Sequence, residues 1–358
     1  PIQVMTDVDD TVKSSGGKKI GEFYLGGIDT RYPRGEFYPG VFQFGQEMSF
    51  HGLVAEEDGG EDPQNQGEDA TEAPLPMAIL TARAREMMAF LEIKPDSPIR
   101  TNYNKMARKF ATRASNGGGG GQTRKEVDPS AWGVGPVLYG SVREWVFQPL
   151  MADRKFENFQ LLRDEVNKGK KVAGYVFIGD TGLFDREAGE MMCSKFSDDV
   201  LAIFLHDVGP RPPSLSAPPF PFAPAAPPRP SSTELPSDYL CNGVPVLHFK
   251  TYIGAAAKAV SQGLLSKAAL VRVTDAALED FRKRGYPMDS RWRELLADAE
   301  MARLVLGEEE QTEEEIQQKR DLILASRYVV TKSELEKFEG ILEKALGDTE
   351  ISNIIDTD

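Results

Sequence analysis

Three aspartates and a threonine close a short apolar run at the very start of this chain: Ile2-Gln-Val-Met-Thr-Asp7-Val-Asp9-Asp10-Thr11. The backbone pattern then breaks at Gly16 and Gly17. Asp7 and Asp9 are two residues apart. In extended backbone that spacing puts both side chains on one face. Carboxylates forced together repel each other, and a bound cation with a taste for oxygen relieves the repulsion. One carboxylate can then act as nucleophile and the other as proton carrier. The bland alternative is a polar, solvated strand end. Three more polar groups stand at or just after later apolar runs. Thr81 closes Met77-Ala-Ile-Leu-Thr81, Asp180 closes Val172-Ala-Gly-Tyr-Val-Phe-Ile-Gly-Asp180, and Asp185 follows it. Lys155 opens the helix expected after a third run, with Lys168, Lys170 and Lys171 as competitors for its role.

These groups need elements to hold them. Apolar runs at 2–6, 77–83, 136–140, 172–180 and 200–205 read as strands buried on both faces. Helices are expected between them at 42–53, 85–91, 155–167 and 186–194. Unbroken apolar strands alternating with helices indicate an α/β fold with a parallel sheet. Such sheets place ligands beyond the carboxyl ends of their strands, where Thr81 and Asp180 stand. Residues 18–45, rich in glycine and aromatics, read as a flap or hairpin followed by turns. Residues 56–73 hold eight acidic and no basic side chains and read as a disordered loop. Residues 100–125 hold seven basic and no acidic ones, with five glycines at 117–121. That stretch reads as a solvated loop, disordered near 114–128, or as a basic surface for anionic lipid or another phosphorylated substrate. It is no phosphate-binding loop, since no Gly-Lys-Ser/Thr follows at the required spacing.

Residues 209–236 carry eleven of the 24 prolines and read as a linker or surface loop. Their Pro-x-x-Pro spacings suit a plain spacer or an SH3-type partner. Beyond them the chain reads as helical, at 252–265, 275–284, 290–306, 313–326 and from Thr331, which stands at capping-box spacing from Glu334. Three regions follow: a catalytic domain over 1–208, the proline-rich linker over 209–237, and a helical region over 238–358 that packs on the core.

The chain has 358 residues, 40% of them hydrophobic, enough for a substantial core. Its net charge of -14 argues against a nucleic-acid partner, which needs a basic face. Two cysteines, Cys193 and Cys241, make neither a disulfide framework nor a cysteine zinc site, and a reducing compartment is expected. Cys193 reads as a packing residue, and His51, His206 and His248 have no ligand spacing. No run approaches the ~18 apolar residues of a membrane span. The chain opens directly on a strand, so a preceding segment is expected, with any targeting signal in it.

Taken together, Asp7-x-Asp9-x-Thr11, Thr81, Lys155 and Gly179-Asp180 with Asp185 resemble the four ordered motifs of the haloacid dehalogenase superfamily of phosphotransferases. A closer resemblance joins Asp7-Val-Asp-Asp-Thr-Val-Lys-Ser-Ser-Gly16, Tyr38-Pro-Gly40, Ile79-Leu-Thr-Ala-Arg83, Ile178-Gly-Asp-Thr-Gly182 and Phe249-Lys-Thr-Tyr-Ile-Gly-Ala255. These look like the family that includes the actin-patch-protein type of phosphatidate phosphatase, with lipin-type enzymes more distant. The likeness spans about residues 2–265 and departs at the acidic, glycine-rich and proline-rich insertions. It implies a Rossmann-like parallel sheet flanked by helices, without a large cap and with a helical C-terminal extension. It implies a Mg²⁺-dependent phosphatase acting through an aspartyl-phosphate, with phosphatidate as leading substrate. Asp7 is then the nucleophile and Asp9 the proton carrier. Asp7, Asp180 and the backbone carbonyl of Asp9 hold the metal, Thr81 and Lys155 hold the transferring oxygens, and Asp185 orients Lys155 or a metal-bound water. Asp10 and Thr11 stabilise the turn. The setting implied is cytoplasmic or peripheral to membranes, with a phospholipid at a membrane surface as substrate. Two other readings stand beside it: a phosphatase of a phosphoprotein or soluble ester, and an interaction protein working through its proline-rich and acidic segments.

Overall fold

The computed structural model describes residues 1–20, 23–24, 26–53, 73–84, 93–116, 132–141, 144, 150–209, 235–285 and 289–307. Seven strands form one sheet: β1 (Ile2–Thr6), β4 (Met77–Ala84), β5 (Val134–Gly140), β6 (Gly174–Asp180), β7 (Val200–His206), β8 (Tyr239–Cys241) and β9 (Val244–Phe249). Their order is β5-β4-β1-β6-β7-β9-β8. All neighbours run parallel except the terminal pair β9 and β8. A separate antiparallel pair, β2 (Lys19–Ile20) and β3 (Phe23–Tyr24), forms the hairpin after the opening motif. The chain leaves β1 to build β4 and β5 on one side, then returns to build β6 and β7 on the other. The order reverses at β1, and there a parallel sheet opens its ligand crevice.

Every residue of β1 is buried, as its unbroken apolar run requires of a strand covered on both faces. Met5, Leu80, Phe177, Ile203 and Leu205 form one face of the sheet's core. They pack with Phe156 and Phe159 of α3 (Leu150–Leu161) and with Ala188, Met192 and Cys193 of α4 (Asp185–Phe196). On the opposite face Phe44 of α1 (Val41–Phe50) meets Phe204 edge to face at 5.5 Å. Gln3 and Thr6 are the polar exceptions in β1. The Thr6 hydroxyl donates to the Asp7 carbonyl at 2.7 Å, and Gln3 is satisfied by the Pro76 carbonyl at 2.9 Å and by Asn167 at 3.1 Å, as buried polar groups must be.

Residues Pro1–Lys250 form one compact unit and Thr251–Asp358 a second. The second contains α5 (Tyr252–Ser261), α6 (Lys267–Lys283) and α7 (Ser290–Leu306), packed on one another. Each starts on a side chain that accepts a backbone N–H: Thr251, Ser266 and Asp289. Phe281 and Trp292 join α6 to α7 with ring centroids 5.3 Å apart.

Three sequence expectations need correction. The region from 238 is not helical throughout, because β8 and β9 form a hairpin that completes the sheet. Its turn is Asn242-Gly243, with φ of 50° and 85°, the signature of a tight hairpin turn. The basic stretch from 100 is not a loop at its start, since α2 (Pro98–Asn116) runs through it. Ile99, Tyr103 and Ala107 are buried at helical spacing and anchor α2, while Lys105 and Arg108 stay outside. The helix expected from 155 begins at Leu150 and ends in a π-turn, Leu162–Val166. The helices expected at 85–91 and beyond 308 lie outside the described residues. So do the glycine run 117–121 and nearly all of the acidic and proline-rich segments.

Candidate active site

Strand register sets the site. Thr6 of β1 pairs with Ile79 of β4 and Ile178 of β6, and the Asp7 amide donates to the Ile178 carbonyl at 2.9 Å. Asp7 is therefore the first residue out of β1. Thr81 stands two residues past its neighbour's last pair, and Asp180 two past on the other side. Asp185 begins α4, and its Oδ2 accepts the Asp180 amide at 3.1 Å. Gly179 makes this approach feasible: a Cβ there would lie 2.6 Å from the Asp185 Cβ. Lys155 reaches in from α3 and is buried.

The result is a buried acidic cluster. Lys155 Nζ pairs with Asp185 and lies 3.3 Å from Asp7 Oδ2. Carboxylate oxygens of Asp7, Asp180 and Asp185 lie within 4.8 Å of one another. Asp180 Oδ1 accepts the amides of Gly182 at 2.6 Å and Leu183 at 3.0 Å. Its Oδ2 is buried and has no hydrogen-bond partner among the described residues. Three carboxylates thus share one ammonium. Burial pushes the Asp7 carboxyl up to about 7, with Lys155 opposing and Asp185 and Asp9 adding to the rise. Burial and then Asp185 push Asp180 well above the usual carboxylate range. Asp185 is raised by burial, against the pull of Lys155. Burial alone would lower the Lys155 ammonium, but Asp185, Asp7 and Asp180 outweigh it and keep it charged.

Such a cluster crowds three buried carboxylates, held partly protonated, round one ammonium, and among the described residues it leaves one buried oxygen without a donor. A hard divalent cation, which prefers carboxylate oxygens, answers both by taking the place of those protons. Asp7, Asp180 and Asp185 fit such an ion.

Asp9 is not part of that cluster. Its carboxylate faces Arg83, which donates Nε to Oδ2 at 2.9 Å and Nη2 to Oδ1 at 2.7 Å. Burial would raise the Asp9 carboxyl, but the Arg83 guanidinium more than offsets it and holds it below the usual range. Thr81 is buried, and its Oγ1 accepts the Arg83 amide at 3.3 Å.

The turn after Asp9 rests on a second polar cluster. Asp10 adopts φ 61° and its carboxylate accepts the amides of Ser15, Ile28 and Asp29. Asp29 in turn accepts from Arg31 Nε at 3.1 Å and from the Tyr38 hydroxyl at 2.6 Å. His206 Nδ1 lies 2.7 Å from the Asp10 carbonyl, while Nε2 lies 3.4 Å from Arg31 Nη2 and 3.2 Å from the Lys250 carbonyl. Burial and the Arg31 charge push His206 down to about 4. A neutral ring then donates from Nδ1 to the Asp10 carbonyl.

Of the residues expected from sequence, Asp7, Lys155, Asp180 and Asp185 meet in one cluster, and Asp9 and Thr81 stand beside it with Arg83. Lys168, Lys170 and Lys171 are exposed. Sequence reasoning gave no role to Arg83, Asp29, Arg31, Tyr38 or His206. Arg83 had a signal: it shares the strand face of Thr81, two residues earlier. Comparison of the chain with protein-family models, with curated proteins and with solved structures finds no match.

Proposed function

We propose that this chain is a divalent-cation-dependent phosphomonoester hydrolase of the haloacid dehalogenase type. One observation carries the reading. The first carboxylate past the central strand shares a buried pocket with two later aspartates and one lysine, at the crevice of a parallel sheet. Phosphoryl transfer needs an in-line nucleophile and charge neutralisation in that arrangement.

Asp7 supplies the nucleophilic carboxylate and carries the phosphoryl group as an acyl phosphate until water removes it. Lys155, kept protonated by its acidic neighbours, steadies the Asp7 carboxylate and the transferring oxygens. Asp185 holds Lys155 in place. The Thr81 hydroxyl, on the neighbouring strand β4, donates to a phosphoryl oxygen. Asp9 serves as proton carrier once it is released from Arg83. Asp7, Asp180 and Asp185 would hold a Mg²⁺, which would supply charge neutralisation and favour the ionised Asp7 carboxylate.

Phosphatidate at a membrane surface is the leading substrate, and this rests on the sequence resemblance alone. Among the described residues no helix is long and apolar enough to cross a membrane, so contact with lipid is read as peripheral. Phosphate release from phosphatidate vesicles and from soluble phosphoesters, with and without Mg²⁺, tests the reading. Metal-dependent turnover that vanishes in Asp7→Asn is expected. No turnover on any phosphoester would remove the phosphatase. Turnover confined to soluble esters would remove only the lipid.

A further inference from the structure

The two carboxylates of the opening motif keep different company. Asp7 shares Lys155 with Asp185, and Asp180 stands beside them. Asp9 is held by the Arg83 fork through two N–H bonds, at 2.9 and 2.7 Å, with Lys13 and Arg34 adding positive field. Asp9 and Arg83 are each about one-sixth exposed, at 16% and 15%, so solvent and a ligand can reach the pair. Asp9 lies against Gly26, whose φ is 95°; a Cβ there would come within 3.0 Å of the Asp9 Cγ and 3.1 Å of Oδ2. Glycine thus keeps the backbone low beneath the carboxylate.

A guanidinium fork binds a carboxylate and a phosphate with the same two parallel N–H bonds, and the phosphate dianion offers more charge. We propose that Arg83 is the receptor for the substrate's phosphoryl oxygens, and that the Asp9 carboxylate occupies its fork until a phosphate displaces it. The exchange has two effects. It selects for a phosphomonoester dianion, which can compete with Asp9. It also frees Asp9 to face the reacting oxygens only when substrate is present. This inference rests on the phosphatase reading and adds to it a binding residue that neither Thr81 nor Lys155 replaces.

The test compares Arg83→Lys and Arg83→Met with the unaltered chain. Inorganic phosphate binding is measured by calorimetry in the presence of Mg²⁺, alongside Mg²⁺ binding alone and thermal unfolding. Phosphate affinity should fall at least tenfold in Arg83→Lys, because an ammonium cannot fork, and further in Arg83→Met. Mg²⁺ affinity should stay within twofold. Where a phosphoester is turned over, its KM should rise in the same proportion while kcat changes less. A merely structural Arg83–Asp9 tie would lower the unfolding temperature and leave phosphate affinity and KM unmoved; that result overturns the proposal. Phosphate binding to the unaltered chain that both variants retain overturns it as well. No turnover on any ester, with phosphate binding still lost in the variants, would remove the hydrolase and leave Arg83 as an anion receptor. Failure of the unaltered chain to bind phosphate at all would sink the receptor.

Discussion

Two buried polar clusters flank the end of β1, and they are built to opposite rules. Around Asp10, every carboxylate oxygen of Asp10 and Asp29 has a donor, from backbone amides, Arg31 or Tyr38. Around Asp7, three carboxylates crowd one lysine, and Asp180 Oδ2 has no donor. Asp7 and Asp10, at the heart of the two clusters, are three residues apart in sequence and both are buried. The difference teaches how to tell scaffold from site. A satisfied network fixes geometry, whereas an unbalanced one stores a demand that a ligand must meet.

Four measurements can break or sharpen that contrast. The largest effect belongs to Lys155→Met. Removing the only cation of a buried cluster should destabilise the metal-free protein by about 3–5 kcal/mol in urea unfolding, because the carboxylates lose their partner. Added Mg²⁺ should recover part of that loss. An effect near zero would mean the cluster is not charged as described.

Next comes pH. The folded Asp7 carboxyl titrates near 7, above its ordinary value of 3.8. The native state therefore holds a proton that the unfolded chain has released. Through Asp7 alone, stability of the metal-free protein should fall as pH rises from about 4 through about 7, at roughly 1.4 kcal/mol per pH unit, and the raised Asp10, Asp180 and Asp185 steepen the fall. Asp7→Asn should take about 1.4 kcal/mol per pH unit off that slope and stabilise the protein above pH 7 while abolishing turnover. Saturating Mg²⁺ should reduce it too. A slope that Mg²⁺ does not touch would separate Asp7 from any metal.

On the scaffold side, Tyr38→Phe removes a hydroxyl that donates to Asp29. The expected cost is about 1.5–3 kcal/mol, the range for a hydrogen bond to a charged group, with Mg²⁺ affinity unchanged in calorimetry. A coupled loss of metal binding would erase the distinction between the clusters. The smallest effect is a control remote from both. Gly243→Ala, at φ 85° in the β8–β9 turn, should cost about 1–2 kcal/mol in unfolding experiments and leave the pH slope and metal binding as they were.

Much of this architecture was legible in the sequence, for identifiable reasons. The five apolar runs became parallel strands: β1, β6 and β7 are buried almost throughout and need no polar alternation, whereas β5, at the sheet's edge, is half-buried from Val134 to Tyr139. Asp7 and Asp180 could be placed at strand ends because those runs stop on them, whereas β4 does not end at Thr81 but continues to Ala84. The hairpin at Tyr239–Phe249 escaped because the eleven prolines just before it dominate the local pattern as a linker, although Asn242-Gly243 is itself a turn signal. The helix Pro98–Asn116 escaped because its dense positive charge masked the spacing of Ile99, Tyr103 and Ala107. The pairing of Arg83 with Asp9 joins residues 74 apart. Such a contact follows from sheet order, which local periodicity does not encode. The scaffold around Asp10 was hidden likewise, since His206 enters it from a strand that lies almost two hundred residues downstream.

The position of β1 has a consequence for the chain's biosynthesis. This strand is made long before its hydrogen-bonding partners on one side, Gly174–Ile178. Until those residues have left the ribosome, Ile2–Thr6 can close only one of its two flanks, and its apolar side chains wait without their cover. Pairings so distant along the chain form slowly and expose sticky edges meanwhile. Asp7 cannot meet Asp180 and Asp185 before that wait ends. The appearance of a metal-binding pocket during refolding would therefore time the closure of the sheet's centre, and a nascent chain stopped before residue 174 would be incapable of showing it.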